Sequence, residues 1–238
     1  MNDSAPASRP GNDTYHHGDL RRRLITAALE LAAESNDWNF SLREVARRAG
    51  VSHNAPYNHF PHKKDLMAAA ALTGRQLLRQ QLASALAKIK DPRRALFRAG
   101  SAYVNFGIKN PALYQLMFTA SLSGHDWRPE LVVGEGEKTR GIVEEVMRRG
   151  AIERTFPLRL TRKPTLQAAS LFAWSAIHGL TMIAISGLTN MDHTSIDRLT
   201  SKVMSMVVDG MGATKVSSDM PELKTNTTAE SLHDTDEQ

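Results

Sequence analysis

Residues 41–66, SLREVARRAGVSHNAPYNHFPHKKDL, are the most informative part of this sequence. Ser41 and Glu44 have the S-x-x-E spacing of a capping box, in which each side chain bonds a backbone amide that the start of a helix leaves unpaired. Apolar residues then recur on one helical face until Gly50, which can adopt the positive φ that ends a helix. A second helix is predicted over residues 53–60. Two short helices joined by a glycine-containing turn have the spacing of a helix-turn-helix unit.

The second helix has the composition of an element that contacts DNA. In a helix-turn-helix unit this helix enters the major groove, and its first residues meet the base edges. Its polar side chains can bond bases or phosphates, and Ala55 is small enough to approach a thymine methyl. Pro56 lies in the first turn, where it removes at most one backbone hydrogen bond. A surface helical hairpin with a chance glycine is the alternative, but the capping box, turn and basic flanks together favour DNA binding.

Residues 15–72 resemble the DNA-binding domain of the tetracycline-repressor (TetR) family of bacterial transcription regulators. The resemblance rests on LRRRLITAALEL at 20–31, on SLREVARRAGVS and on YNHFPHKKDL. It implies a homodimer that places two recognition helices on a palindromic or near-palindromic operator. Pro56 departs from the pattern, because many members carry leucine there. From the residue chemistry and this resemblance we predict DNA contacts at Ser41, Arg43, Ser52, His53, Asn54, Ala55, Tyr57, Asn58, His59 and Lys63.

Composition agrees with this class of protein. The formal net charge of +5 and the pI near 9.6 favour a polyanionic partner. The chain has no cysteine, which excludes disulfides, thiolate catalysis and zinc-finger binding. Residues 166–188 come closest to a membrane span, but their polar residues indicate a buried helix. We therefore expect a cytoplasmic protein that is not bound to a membrane.

The rest of the chain predicts an all-α fold with no strand alternation. An N-terminal three-helix DNA-binding domain over residues 15–64 is followed by a helical ligand-binding and dimerisation domain over 65–212. Disordered tails are expected at 1–14 and, with acidic character, at 213–238, because their few apolar residues cannot offset the entropy of ordering. The helices are predicted over residues 19–34, 63–89, 92–109, 111–118, 129–149, 164–187 and 192–211, with a loop at 119–126.

The last two helices are the predicted dimer interface. The helix at 164–187 is apolar nearly all round, and the helix at 192–211 has an apolar stripe at i, i+3, i+4 spacing. A helix with more than one apolar face is buried on more than one side. Two such helices from each subunit would form a four-helix interface of C2 symmetry.

The C-terminal half carries a second resemblance. FAWSAIHGL at 172–180, with NPALYQLMF at 110–118 upstream, is similar to the regulator C-terminal domain named for its Trp, His and Gly. Those residues are Trp174, His178 and Gly179 in this chain. The resemblance covers residues 91–208 and implies a regulatory domain without naming an effector.

Aromatic residues of the C-terminal half suggest an effector pocket for a hydrophobic or planar small molecule. For any one of these residues, a place in the core is the alternative, and His178 has the further alternative of a structural hydrogen bond. The candidates for effector binding are Tyr103, Phe106, Tyr114, Met117, Phe118, Trp127, Trp174 and His178.

No pattern in the sequence indicates an enzyme. Ser175 and His178 are three residues apart, but no carboxylate orients the histidine and no strand-turn-helix elbow presents the serine. His16 and His17 have no partner ligands at metal spacing. We expect no catalytic residue, metal or cofactor. The predicted function is a homodimeric repressor released from a palindromic operator by a small-molecule effector; activation of transcription, or non-specific architectural DNA binding, is the alternative.

Overall fold

The computed structural model describes residues 13–118, 129–158, 163–188 and 191–211, and these residues form helices and the connections between them. The predicted all-α class is confirmed for this part of the chain. The elements in order are α1 (Asp13–Ser35), α2 (Leu42–Arg48), a 3₁₀ turn (Ala55–Asn58), α3 (Lys63–Leu86), α4 (Pro92–Lys109), α5 (Pro111–Phe118), α6 (Pro129–Ile152), α7 (Lys163–Ile185) and α8 (His193–Gly210).

The N-terminal unit has its own apolar core. The core lies between α1, α2, the 3₁₀ turn and the start of α3, and Leu24, Val45 and Phe60 are fully buried in it. At its edge, the Asp65 side chain accepts a hydrogen bond of 2.8 Å from the backbone amide of His62 and so caps α3. This cap fixes where the long helix α3 leaves the unit.

The C-terminal bundle is assembled around α4, which packs against α3, α5, α6, α7 and α8. Helix α4 starts as the sequence predicts, because the Asp91 side chain accepts a 2.7 Å hydrogen bond from the Arg94 amide and Pro92 occupies the first turn. Leu96, Val104 and Tyr114 are among the fully buried residues of this core. Since α3 belongs to both units, it connects the bundle to the helix-turn-helix.

Several predicted boundaries are wrong by a few residues. Helix α1 begins at Asp13 rather than at residue 19. The sequence does not predict these first residues because they are mostly polar and lack the apolar spacing that indicates a helix. Helix α3 ends at Leu86 rather than 89, and α7 ends at Ile185. Residues 1–12 and 213–238 of the predicted tails, and the predicted loop at 119–126, lie outside the described residues.

Gly150 does not end α6, which continues to Ile152. The glycine instead allows close packing, because the chain folds back after Arg154 and places Phe156 directly over it. A Cβ built at Gly150 would lie 2.1 Å from the ring of Phe156. The sequence shows a glycine near a helix end, but it cannot show which residue returns to cover it.

We expect Gly150→Ala to lower the free energy of unfolding by about 1–3 kcal/mol, the usual range for overpacking a well-filled site. Gly141→Ala in the same helix is the control, because its added Cβ has no neighbour within 4 Å among the residues that the structure describes. That substitution should leave stability unchanged or raise it by up to about 1 kcal/mol. Urea denaturation followed by circular dichroism measures both, and equal effects of the two changes would contradict this role for Gly150.

Helix α7 is less buried than its sequence suggests. Among the described residues it is the one helix long and apolar enough to cross a bilayer by length and composition, yet only 28% of the window Leu166–Ile185 is buried. The prediction of a buried helix is therefore wrong for the single chain. Phe172 and Ile183 are 50% and 45% exposed, because none of the described elements covers that side of α7.

Candidate nucleic-acid interface and effector cavity

The predicted capping box and glycine turn are both confirmed. Ser41 and Glu44 satisfy each other, with the Glu44 amide donating to the Ser41 hydroxyl at 3.2 Å and the Ser41 amide donating to the Glu44 carboxylate at 2.7 Å. Gly50 has φ of 66°, and the Val51 amide donates to the Ala46 carbonyl at 3.0 Å. This is the Schellman arrangement, which ends α2 and sets the angle of the chain toward the next element.

The recognition element differs from its prediction. The sequence predicts a helix over residues 53–60, but the structure has a single 3₁₀ turn, Ala55–Asn58, preceded by Asn54. Pro56 explains the difference, because it has no amide to donate and it disfavours the α conformation of the residue before it. Consistent with this, the Tyr57 amide bonds the carbonyl three residues earlier, at 3.2 Å. The segment therefore presents a compact turn rather than two helical turns.

All ten predicted DNA-contact residues lie at the surface. Seven are exposed, and Ala55, His59 and Lys63 are half-buried. Pro56 and Phe60 face the core instead and hold the turn in place. The exposed residues are Ser41, Arg43, Ser52, His53, Asn54, Tyr57 and Asn58.

Arginine side chains that the sequence analysis did not single out also support this unit. The Arg23 guanidinium donates to the Ala49 carbonyl at 2.6 Å and so binds the end of α2 to α1. The guanidinium carbon of Arg21 lies 5.0 Å from the centroid of the Phe60 ring. Arg48 pairs with Glu34 and, at 3.5 Å, with Glu30. Their positions depend on how α1 crosses α2, which local spacing does not reveal.

A cavity of about 380 Å³ lies in the C-terminal bundle between α3, α4, α5, α6, α7 and α8. Tyr103, Met117, Phe118 and Trp174, four of the predicted effector residues, line it. Phe106 is buried in the core and does not line it, and Trp127 lies outside the described residues. The volume is in the range of small-molecule sites, and most of the lining is apolar.

Four of the predicted effector residues, Tyr103, Tyr114, Trp174 and His178, are joined by hydrogen bonds beside the cavity, and two of them, Tyr103 and Trp174, line it. The indole nitrogen of Trp174 donates to the Tyr103 hydroxyl at 3.1 Å, and that hydroxyl is 3.1 Å from the hydroxyl of Tyr114. The Tyr114 hydroxyl is 2.6 Å from Nδ1 of His178, whose ring stacks on Trp174 with a centroid distance of 5.1 Å. These hydrogen bonds satisfy polar groups that are buried in an otherwise apolar region.

Burial determines the protonation states of the tyrosines and the histidine in this hydrogen-bonded group. It raises the pKa of both the Tyr103 and Tyr114 hydroxyls, so both remain proton donors. It lowers the pKa of His178, and the positive charge of Arg75 lowers it further. A neutral imidazole at physiological pH can accept the Tyr114 proton at Nδ1, which accounts for the 2.6 Å contact.

Arg75 is a cavity residue that the sequence analysis missed. It lies on α3, its side chain donates to the Met117 carbonyl, and its guanidinium carbon is 4.8 Å from the Phe118 ring centroid. Burial lowers the pKa of Arg75, although a guanidinium remains charged at physiological pH. One arginine in an alanine-rich helix gives no sequence signal that it faces a cavity.

Helix α5 connects the cavity to the DNA-binding unit. Its C-terminal residues Met117 and Phe118 line the cavity, and near its start the Ala112 carbonyl accepts a 3.1 Å hydrogen bond from the indole nitrogen of Trp38. Trp38 follows α1 and packs on Phe40, with ring centroids 5.7 Å apart. A shift of α5 therefore reaches the core of the helix-turn-helix directly.

Both units match known families of regulators. Residues 24–70 match the family model described as bacterial regulatory proteins, tetR family. Residues 96–207 match the model described as tetracyclin repressor-like, C-terminal domain. The chain belongs to the TetR family. The two matches cover the helix-turn-helix with the start of α3 and the greater part of the C-terminal bundle.

Curated relatives of this TetR-family chain are similar over part of their length. It is 30% identical over 115 residues to the uncharacterized HTH-type transcriptional regulator YobS of Bacillus subtilis, a match covering 48% of this chain and 58% of that protein. It is 45% identical over 65 residues to an uncharacterized HTH-type transcriptional regulator of Haemophilus influenzae, a match covering 25% of this chain and 32% of that protein. The matched part thus spans between a third and three fifths of these relatives.

Solved structures share the fold over most of the chain. A Rhodococcus sp. RHA1 protein of unknown function has a TM-score of 0.65 at 24% identity, covering 84% of this chain and 98% of that one. FadR of Bacillus subtilis, solved in complex with stearoyl-CoA, has a TM-score of 0.62 at 14% identity. The match covers 79% of this chain and 98% of that one. The TetR-family regulator PfmR of Thermus thermophilus has a TM-score of 0.56 at 18% identity, covering 79% and 97%. At these identities the likeness supports the fold.

Proposed function

We propose that this TetR-family chain is a sequence-specific, homodimeric transcriptional repressor that a small-molecule effector releases from its operator. The observation that carries the proposal is the helix-turn-helix unit, whose capped α2 and glycine turn present polar residues on an exposed surface. The protein would act in the cytoplasm on double-stranded DNA and without catalysis. Its family membership and the names of its curated relatives support this assignment.

The DNA contacts divide by position. His53, Asn54 and Ala55 lead into the 3₁₀ turn and would read bases. Phosphates would be held by the seven residues that surround them, namely Ser41, Arg43, Ser52, Tyr57, Asn58, His59 and Lys63. Phosphate contacts fix the register of a protein on the duplex, whereas base-edge contacts carry the sequence information.

We expect Tyr57→Phe and Asn54→Ala to have different signatures. Tyr57→Phe removes one neutral donor, so binding should weaken about 3- to 10-fold on operator and unrelated DNA alike. Asn54→Ala should cost about 1–3 kcal/mol on the operator and relax the preference at one base position. Fluorescence anisotropy with operator duplexes substituted at each position measures both changes.

Lys63→Met provides the charge control for this prediction. It should reduce the slope of log affinity against log salt by about 1, whereas Tyr57→Phe should leave that slope unchanged. If all three variants lose affinity equally on every sequence, the division into base-reading and phosphate-holding residues is wrong.

The proposed dimer interface is the side of α7 and α8 that the described part of the chain leaves uncovered. On α7, Phe172, Ala176, Gly179 and Ile183 follow i, i+4, i+7, i+11 spacing and are exposed or half-buried. The stripe Leu199, Val203, Met206 and Gly210 on α8 has the same spacing. The stripes meet where the Phe172 ring lies beside Gly210. Such a paired stripe suits a C2 four-helix interface.

The C-terminal bundle would be the effector-binding domain of the Trp-His-Gly type. Trp174 and His178 stack beside the cavity, and Gly179 lies on the uncovered side of α7. The cavity supplies a place for the effector, and α5 supplies a route to the DNA-binding unit. FadR of Bacillus subtilis, a fold relative, was solved with stearoyl-CoA, which supports ligand binding by a bundle of this shape.

Selection of genomic fragments by the purified protein at near-physiological salt tests the proposal. One palindromic motif, with half-sites about one helical turn apart, is the expected result for a dimeric regulator. Reporter expression from a promoter carrying that motif should rise when the protein is removed; a fall would show activation instead. Uniform, salt-sensitive binding without a motif would identify a non-specific DNA-binding protein and overturn the proposal.

A further inference from the structure

Arg75 is a cation at the cavity wall without a carboxylate partner in residues 13–118, 129–158, 163–188 and 191–211. Its Nη2 donates to a neutral acceptor, the Met117 carbonyl. Its Nε is buried and has no hydrogen-bond partner there. A buried, unsatisfied donor on a charged group is unfavourable, so the site favours an anion that would satisfy it.

The neighbouring arginines differ from Arg75 because they are paired. Arg79, one turn along α3, bonds Glu135 at 2.8 Å. Arg140, which also lines the cavity, lies 3.4 Å from Glu144. Within the described residues, Arg75 is thus the one charged side chain at this cavity that has no partner of opposite charge.

We propose that the cavity binds a small amphipathic acid, whose carboxylate is held by Arg75 and whose apolar body lies between α3, α4, α7 and α8. The inference rests on the effector-controlled repressor proposed above and adds the chemical class of the effector. Nε and Nη2 form one edge of the planar guanidinium and match the two oxygens of a carboxylate. The apolar body would contact Leu78, Leu82, Leu96, Ile177 and Met204.

The same geometry supplies the switch. A carboxylate that takes Nε and Nη2 replaces the Met117 carbonyl, since charge-assisted hydrogen bonds are stronger than bonds to a neutral acceptor. Release of Met117 and displacement of the neighbouring Phe118 ring free the C-terminal end of α5. The other end of α5 binds Trp38 through the Ala112 carbonyl, so the movement reaches the helix-turn-helix. The acid would therefore favour a conformer with lower operator affinity.

Matched acids and amides test the proposal on the full-length protein. The probes are 4-phenylbutyrate with 4-phenylbutyramide and decanoate with decanamide, which share a body and differ in charge. Thermal shift and isothermal titration should show binding of at least one acid, with its amide about 10- to 100-fold weaker, the range expected for hydrogen bonds to a charged group. Arg75→Met should remove this preference, whereas Arg140→Met should retain it.

Several outcomes would overturn the inference. The inference is wrong if neither acid binds, or if an acid and its amide bind equally. It is also wrong if Arg75→Met has an unchanged melting profile and still prefers the acid to the amide. Operator binding by the ligand-free protein is measured in parallel to separate the two proposals. Specific DNA binding without acid binding rejects the effector class alone, while acid binding without specific DNA binding rejects the proposed function and leaves the ligand site standing.

Discussion

Gly179→Leu is expected to convert the proposed dimer to monomers and to reduce operator affinity about 100- to 10,000-fold, the advantage that linked binding sites usually provide. Gly179 lies in the middle of the uncovered stripe of α7, and no atom of the described residues lies within 4 Å of an added Cβ. The protomer should therefore accept leucine, and helix propensity even favours it. A second copy packed against this stripe would meet the new side chain.

Sedimentation velocity at micromolar concentration measures the assembly, and anisotropy with a full palindrome measures the affinity. Gly141→Leu is the matched control, because Gly141 is also helical and open but lies on α6, away from the stripe. The control should remain dimeric and bind DNA normally. A dimeric Gly179→Leu protein with normal operator affinity would show that the interface lies elsewhere.

Phe60→Ala is expected to lower the free energy of unfolding by about 3–5 kcal/mol, the usual cost of removing a buried aromatic ring. Phe60 is 0% exposed, and it joins the 3₁₀ turn to the core that α1, α2 and α3 enclose. Its amide also donates to the Pro56 carbonyl at 2.8 Å, so Phe60 anchors the turn that carries the proposed DNA contacts through both its ring and its backbone. Since whole domains are stable by about 5–15 kcal/mol, specific DNA binding should be lost as well.

Urea denaturation followed by circular dichroism measures this loss, with operator binding tested at the same temperature. Tyr57→Ala is the control, because Tyr57 belongs to the same turn but is 45% exposed. It should change stability by no more than about 0.5 kcal/mol while still weakening DNA binding. If Tyr57→Ala destabilises the protein as much as Phe60→Ala, or if Phe60→Ala retains stability and binding, the anchoring role of Phe60 is wrong.

Local signals predicted the starts of α2 and α4 and the glycine turn of the helix-turn-helix, but not the start of α1. The Ser41 and Glu44 capping box, the left-handed Gly50 and the Asp91 cap all involve residues within a few positions of each other. Their hydrogen bonds depend only on local backbone geometry, so spacing is sufficient to identify them. The recognition element was mispredicted for an equally local reason, since Pro56 shortened an expected helix to a 3₁₀ turn.

Caps, turns and apolar periodicity involve residues close together in the chain, so the sequence is sufficient to predict the all-α class, the DNA-binding unit and the family. The cavity and its chemistry instead depend on tertiary packing. Tyr103 and Tyr114 meet His178 from 75 and 64 residues away, and Arg75 reaches the Met117 carbonyl across 42 residues. Whether such a side chain finds a partner depends on how helices distant in sequence pack together, and helical periodicity specifies which face is buried but not which residue lies opposite.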